Sequence, residues 1–282
     1  MIIDLKKEQM SISEALFIAK PHDTIILDDI IYYEKIVVDK PFIKMVGKPN
    51  TTISYGDTAN TIRDGIKLGT TKSATFTVKE EAHDFYAYSI TFLNSHEKKS
   101  HDGEQAVAFK SESSNTYLNK CKFISYQDTL YFDYGINNLI VDSYICGDID
   151  FIFGSADLVI YNSTITSRAK FNTSYYFAPS TLIQNRYGFV VYKSLFNQDG
   201  DIKSYICRPW YPSKQISPVV PKLSVIDSEF VGNISLDVIK MREDHPDYHE
   251  IEIINGDFNN EKRLNKIDFI NKTIDYYKNI EF

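Results

Sequence analysis

The fold is decided by three stretches, Tyr117-Leu118-Asn119-Lys120-Cys121-Lys122-Phe123-Ile124, Leu139-Ile140-Val141-Asp142-Ser143-Tyr144-Ile145 and Val159-Ile160-Tyr161-Asn162-Ser163-Thr164-Ile165. Two later copies, Val190-Val191-Tyr192-Lys193-Ser194-Leu195-Phe196 and Ser224-Val225-Ile226-Asp227-Ser228-Glu229-Phe230, keep the same order of apolar residues, a polar residue, a small residue and more apolar residues. The small residue falls at 121, 143, 163, 194 and 228, so the intervals vary from 20 to 34 while the unit persists. A conserved unit with variable spacing is the pattern of stacked coils with insertions in their loops.

No helical segment long enough to serve as a crossover separates these strands, which disfavours a doubly wound sheet. A sandwich would use strands of similar length and spacing. The small residue decides between sandwich and solenoid. Coils stacked about 4.8 Å apart place equivalent positions over one another, so a narrow inward corner accepts only Cys or Ser each time. The expected architecture is all-β, a right-handed parallel β-helix forming one domain over residues 1–282.

Working outward, Ser11 and Glu14 form a helix-start signature before Ala15, Leu16, Phe17, Ile18 and Ala19, predicting a short helix over 13–20. From Pro21 to about residue 258 the texture is β-branched and aromatic, broken by Asn, Asp, Ser and Gly. The tail 259–282 carries Leu264, Ile267, Ile270, Ile274 and Tyr277 three or four apart, predicting an amphipathic helix laid on the solenoid and capping its open end.

Composition narrows the classes. A chain of 282 residues with 43% hydrophobic and 24% charged residues can bury a large core and is neither disordered nor collagen-like. No run reaches the roughly 18 apolar residues of a spanning helix, so no membrane partner is expected. A net charge of −7 without a Lys/Arg cluster argues against nucleic acid. Cys121, Cys146 and Cys207 are too few and too scattered for a disulfide framework or a metal site, so reduced, buried thiols are expected. The histidines, His96, His101, His245 and His249 among them, form no metal constellation and read as surface or loop residues. Twenty Tyr and 18 Phe suit half-buried strands first and sugar-binding surfaces second. The opening Met-Ile-Ile-Asp-Leu-Lys-Lys-Glu has no apolar leader core, which makes a cytoplasmic monomer the expectation, or a secreted one if a leader has been removed.

Chemistry concentrates where the repeat is broken. The segments are Gly103-Glu104-Gln105-Ala106-Val107-Ala108, Gln127-Asp128-Thr129-Leu130-Tyr131, Asp150-Phe151-Ile152-Phe153-Gly154 and Arg208-Pro209-Trp210. Gln105 precedes Gln127, and Asp128 precedes Asp150, by 22 residues, close to one coil, so two amides and two carboxylates should share one patch. Two neighbouring carboxylates cannot both ionise freely, leaving one an acid and the other a nucleophile. Amide N–H groups stabilise a developing oxyanion, and a guanidinium at Arg208 could orient one carboxylate. This set suits carboxylic ester hydrolysis through a covalent intermediate.

These four motifs, in this order, resemble the pectin methylesterases, a β-helical carbohydrate-esterase family. Ser13-Glu14-Ala15, Tyr32-Tyr33-Glu34 and Ala178-Pro179-Ser180-Thr181, the last resembling the bacterial branch, extend the likeness over roughly residues 10 to 230. The resemblance implies that Asp150 attacks a galacturonate methyl ester and that Asp128 protonates the departing methoxide and then activates water. It further implies that Gln105 and Gln127 hold the oxyanion and that Arg208 binds Asp150. Trp210, Phe153 and Tyr131 would line the sugar groove, with Tyr175, Ala178 and Thr70 at its edges. The implied partner is methyl-esterified galacturonan or its oligogalacturonides, with no metal and no organic cofactor.

Three departures carry expectations. Cys207 stands where the family has glycine, so its side chain should shift Arg208 or narrow the groove. The stretch from Tyr131 to Asp150 is about one residue long around Asp133-Tyr134-Gly135, and Ile234-Ser235-Leu236-Asp237-Val238 has no counterpart of the family's later Gly-Trp. Two alternatives come from other classes. A galacturonan-cleaving glycosidase needs no oxyanion amides, so Gln105 and Gln127 count against it. A non-catalytic carbohydrate-binding β-helix needs no acid/base pair.

Overall fold

In the computed structural model, residues 1–100, 103–171, 173–212, 218–256 and 261–280 are described. His101 and positions 259, 260, 281 and 282 of the anticipated tail lie outside them. Each repeat quoted above bends at one residue with left-handed backbone: Lys120 (φ 53°), Asp142 (51°), Asn162 (48°), Lys193 (47°) and Asp227 (47°). Asn and Asp tolerate this region because their short side chains bond locally. The small residue follows at once, and the reason for its size is more specific than a narrow corner. Backbone N–H groups of Cys121, Ser143 and Ser163 donate to the hydroxyls of Ser143, Ser163 and Ser194, each at 3.1 Å, and Ser194 N–H donates to Ser228 at 3.2 Å. Each hydroxyl in turn donates to the carbonyl two residues back, for example Ser143 to Val141 at 2.7 Å and Ser163 to Tyr161 at 2.9 Å. Strand pairing is interrupted at the corner, and the hydroxyl ladder satisfies the buried N–H groups there.

Strand register follows the repeat. Leu118, Ile140, Ile160, Val191 and Val225 lie over one another on one side of the corner, and Phe123, Ile145, Ile165, Phe196 and Phe230 on the other. The described residues build three parallel sheets, of ten, eight and eight strands, in which neighbours belong to consecutive coils. This is a parallel β-helix. Coil spacing also stacks the interior, with Phe76 on Phe109 at 5.6 Å and Phe92 on Phe123 at 5.5 Å, nearly coplanar in orientation. Such ring pairs add about 0.5–1.5 kcal/mol beyond area burial. Cys121, Cys146 and Cys207 are free and buried.

A helix missed in the sequence, α1 (Leu5–Glu8), is one turn capped by Asp4. α2 (Ile12–Ile18) replaces the expected 13–20 because Ser11 is the cap, closing a box with Glu14. Glu34 accepts from the N–H groups of Ile12 (2.9 Å) and Ser13 (3.0 Å), while the Lys40 ammonium donates to the carbonyls of Leu16 (2.7 Å), Phe17 (2.8 Å) and Ala19 (2.9 Å). Both helix ends are therefore satisfied by charged groups of the correct sign. Ile12, Ala15 and Leu16 join the main core. A short helix, α3 (Gly69–Lys72), follows an antiparallel hairpin of Ile62–Arg63 and Ile66–Lys67.

The final helix, α4 (Glu261–Tyr277), corrects the expectation of a cover over the open end. It lies across the outer face of the ten-stranded sheet, where Ile270 and Tyr277 pack with Tyr86, Leu139, Val159, Val190 and Ile226. Those strands carry apolar residues on both faces, as parallel strands do when both faces are covered. Phe269 stacks on Tyr187 at 3.9 Å, and the hydroxyl of Tyr277 donates to the Asn137 carbonyl at 2.5 Å. Leu264, placed on the predicted apolar stripe, is 52% exposed.

Ser163→Ala removes the acceptor of the buried Ser143 N–H. The expected cost is about 1–3 kcal/mol, read as a lower urea midpoint with an unchanged denaturant slope. An unchanged midpoint would show that the hydroxyl ladder contributes nothing net.

Candidate active site

The catalytic motifs fall on one edge of one eight-stranded sheet, just before the strands Phe109–Ser111, Leu130–Phe132 and Ile152–Gly154. Ala106 N–H donates to the Gln127 carbonyl at 3.0 Å and Asp128 N–H to the Ile149 carbonyl at 3.1 Å, which sets Gln105, Gln127–Asp128 and Asp150 on three successive coils. Tyr131, Phe153 and Ala178 are register partners across the same coils. Asp128 (φ 63°) and Asp150 (φ 50°) both have left-handed backbone, a conformation retained where the surrounding ladder dictates it. In the Asp-Phe-Ile-Phe-Gly motif the glycine has a direct reason: Gly154 sits at φ 126°, and a Cβ there would collide with the Phe132 carbonyl.

Arg208 separates the two carboxylates chemically. Its Nε donates to Asp150 Oδ1 at 2.6 Å and its Nη2 to Oδ2 at 2.6 Å, a bidentate pair. Backbone bonds from Arg208 N–H to the Phe177 carbonyl (3.0 Å) and from Trp210 N–H to the Pro179 carbonyl (2.9 Å) seat this segment on the strand Ser174–Pro179. Asp128 has no such partner. Burial pushes its carboxyl well above the usual carboxylate range, and the Asp150 charge pushes the same way. Burial also raises Asp150, but there the two Arg208 hydrogen bonds and the guanidinium charge oppose it. The proton of the pair therefore belongs on Asp128, with Asp150 ionised.

The donor side is equally uneven. Gln127 is 7% exposed, and its Oε1 has no hydrogen-bond partner among the described residues. A buried carboxamide oxygen left without a donor is costly unless a ligand supplies one. Gln105, half-buried, lies beside it on the wall of a cleft of about 400 Å³ that also contains Asp128 and Asp150. Tyr131 and Phe153 stack at 4.2 Å in that wall, and Trp210 meets Phe153 edge-on at 5.9 Å. An amide pair beside an ionised and a protonated carboxyl, under an aromatic rim, can attack an acyl carbon, hold its oxyanion and protonate its leaving group.

Of the residues singled out from the sequence, Gln105, Gln127, Asp128, Asp150, Tyr131, Phe153, Ala178, Trp210 and Thr70 line this cleft. Arg208 stands outside its wall and reaches Asp150 from beside it. Tyr175, half-buried, lies with its ring 4.2 Å from the Arg208 guanidinium carbon, stacked on Tyr205. Its strand position turns it toward the arginine, where cation–π contact adds to the carboxylate pair. Cys207 is a correction. Its side chain is fully buried in the main core and off the cleft wall, and Arg208 next to it makes both hydrogen bonds to Asp150.

His96 lies in the loop after the strand Thr91–Asn94, half-buried with its Nε2 2.7 Å from Glu104. Leu68, Gly69, Thr71 and Met241 complete the cleft and were missed. Gly65 and Gly69, both at positive φ, mark the turns that bring α3 to the rim, whereas nothing local distinguishes Met241. Among the described residues no group of three or more His, Cys, Asp or Glu side chains could hold a metal ion.

The fold and the site together define a parallel β-helix with a paired-aspartate cleft, one aspartate clamped by arginine and both flanked by glutamine amides. The model of the Pectinesterase family matches residues 4–232, and the chain belongs to that family. It is 29% identical to Pectinesterase A of Dickeya dadantii over 68% of this chain and 59% of that protein. It is 31% identical to Pectinesterase 5 of Arabidopsis thaliana over 72% of this chain and 34% of that one. The chain thus spans well under two-thirds of these relatives' length. Among solved structures, the pectin methylesterase from Yersinia enterocolitica superposes with a TM-score of 0.74 at 25% identity, covering 89% of this chain and 92% of that one. A pectin methylesterase in complex with a hexasaccharide superposes with a TM-score of 0.75 at 25% identity over 83% and 79%.

The raised acid of Asp128 has a stability signature. Its protonated form contributes stability that is fully present below the unfolded value of about 3.9 and is lost as pH rises through the higher folded value. Asp128→Asn stays neutral throughout, so its thermal midpoint should rise relative to the parent as pH increases from about 4 toward neutrality. Melting curves across that range check this. A difference that is constant with pH would mean Asp128 is not held protonated.

Proposed function

We propose that this chain hydrolyses methyl esters of galacturonate residues in pectin or pectic oligosaccharides, releasing methanol through an aspartyl acyl-enzyme. The observation that carries the reading is the asymmetry of the aspartates: two 2.6 Å hydrogen bonds from Arg208 fall on Asp150, and none falls on Asp128. Family membership and the likeness to a pectin methylesterase solved with a hexasaccharide support the substrate class.

In this mechanism an Asp150 oxygen attacks the ester carbonyl carbon, and the negative charge passes to the carbonyl oxygen, where the N–H groups of Gln127 and Gln105 meet it. The tetrahedral species collapses with cleavage of the bond to the methoxy oxygen, which takes the Asp128 proton and leaves as methanol. Asp150 is left joined to the sugar's acyl group as a mixed anhydride, and Asp128 as a carboxylate. That carboxylate accepts a proton from water as the water oxygen attacks the acyl carbon. Collapse of this second tetrahedral species breaks the anhydride bond, freeing the galacturonate acid and returning Asp150 to Arg208. The clamp lets Asp150 leave as a stabilised carboxylate. The aromatic wall of Tyr131, Phe153 and Trp210 offers apolar faces for sugar rings and the ester methyl group.

Asp150→Asn should fold normally and release no methanol from methylated galacturonides; more than a few per cent of parental turnover would remove its nucleophilic role. Gln127→Ala should lower turnover on the order of a hundredfold to a thousandfold, and a loss below threefold would mean that its amide does not meet the oxyanion.

A further inference from the structure

Lys98 and Asp148 form the most deeply buried ion pair among the described residues, 2.6 Å apart with side-chain exposures of 1% and 3%. The mechanism above uses neither. Asp148 is two residues before the nucleophile and is held rigidly. Its Oδ1 accepts from Ile149 N–H at 2.6 Å, its N–H donates to the Tyr126 carbonyl at 3.0 Å, and its carbonyl accepts from Tyr175 N–H at 2.9 Å. Lys98 belongs to the segment just ahead of Gln105. That segment is gathered by Glu104, which accepts from Ser100 Oγ (2.6 Å), Lys99 N–H (2.9 Å) and His96 Nε2 (2.7 Å). Burial works to raise the Glu104 carboxyl, yet these hydrogen bonds hold it down to about 2. The Lys98 carbonyl is fastened as well, by the Lys170 ammonium at 2.9 Å. One ion pair thus ties the segment bearing an oxyanion amide to the coil bearing the nucleophile.

A buried pair of this kind is weak evidence for stability, because apolar residues of similar volume serve as well or better. Its position suggests another use. Two ion pairs, Arg208–Asp150 and Lys98–Asp148, lie close enough for Asp148 and Lys98 to act electrostatically on both Asp128 and Asp150, and Asp148 is two residues from Asp150 in the chain. Further titratable neighbours are the Cys207 thiol beside Asp150 and the Tyr175 phenol beside Arg208, with Lys170 and Glu104 on the Lys98 segment. Unpaired, Asp148 would be a third carboxylate beside a pair whose function requires one ionised and one protonated member. We propose that Lys98 is a positioning residue for the reaction: by pairing with Asp148 it cancels that third charge at the aspartate pair and holds the Gln105 segment against the Asp150 coil. The catalytic side of this inference rests on the esterase reading; the electrostatic side stands on its own.

The test compares Lys98→Met, Asp148→Asn and the double variant. An infrared titration follows the protonated carboxyl of Asp128, assigned as the band absent from Asp128→Asn. Methanol release from methylated galacturonides is measured across pH in parallel. Lys98→Met should move the Asp128 midpoint up and Asp148→Asn should move it down, each by about half to one pH unit. The double variant, which removes both charges, should return it close to the parental value even if one single variant fails to fold. The limbs of the kcat/KM profile should move with the midpoint.

A double variant displaced as far as either single one, or two folded single variants with unmoved midpoints, would overturn the inference. If methanol release is absent from the parent while the infrared midpoints shift as expected, the esterase reading fails and the charge-balancing role survives. A melting temperature that falls without any midpoint shift identifies a purely structural pair and also overturns it.

Discussion

Parallel pairing from coil to coil, carried through one corner of the successive central coils by a side-chain hydroxyl, is the constraint on which the remaining structure depends. A strand ladder alone would stop where the backbone turns left-handed, leaving buried N–H groups without acceptors. The serines at 143, 163, 194 and 228 supply those acceptors, so pairing resumes in the same register on the next sheet. Register in a solenoid is cumulative, since a slip of one residue at one coil would turn its inward side chains out. In-register pairing of successive coils is what lays Phe76 on Phe109 and Phe92 on Phe123 inside the stack.

The same stacking makes the site. Side chains on three successive coils, at positions 105, 127–128 and 150, are brought into one cleft by backbone hydrogen bonds, not by contacts among themselves. A rigid ladder can hold two carboxyls in a buried cleft where they would otherwise repel, and can keep a carboxamide oxygen without a partner. Arg208 resolves the conflict by binding one carboxylate only, and the difference between the two aspartates follows from that single asymmetry. Its own position depends on the strand Ser174–Pro179, two backbone bonds of which seat the Arg208–Trp210 segment. Charge balance around the cleft extends past the reacting groups to Lys98 and Asp148, which lie too deep for contact with substrate.

The outer surface of the solenoid shows where local reading ends. The tail helix was legible from its spacing, but its destination was not. Outward residues such as Leu139, Val159 and Val190 require a cover along the sheet face, and α4 supplies it there. In the same way, Cys207 was read from its place in a motif, while the direction of its side chain was set by a register irregularity that sends it into the core together with Ile206. Met241 reaches the cleft from a segment far along the chain, and the Lys98–Asp148 pair joins residues fifty positions apart. No local pattern encodes such meetings.

What the amino-acid sequence determined by itself is everything that recurs at the coil period. The corner residue, the inward apolar positions and the 22-residue offsets among Gln105, Gln127, Asp128 and Asp150 are periodic, because each coil lies directly on the last and repeats its demands. Motif order then identified the chemistry those offsets bring together. Tertiary structure supplied the physical reason for the proton to stay on Asp128, and it alone decided which faces need a cover and which charges balance the cleft. Those outcomes depend on burial and on neighbours from distant coils, and neither is a property of any short stretch of chain.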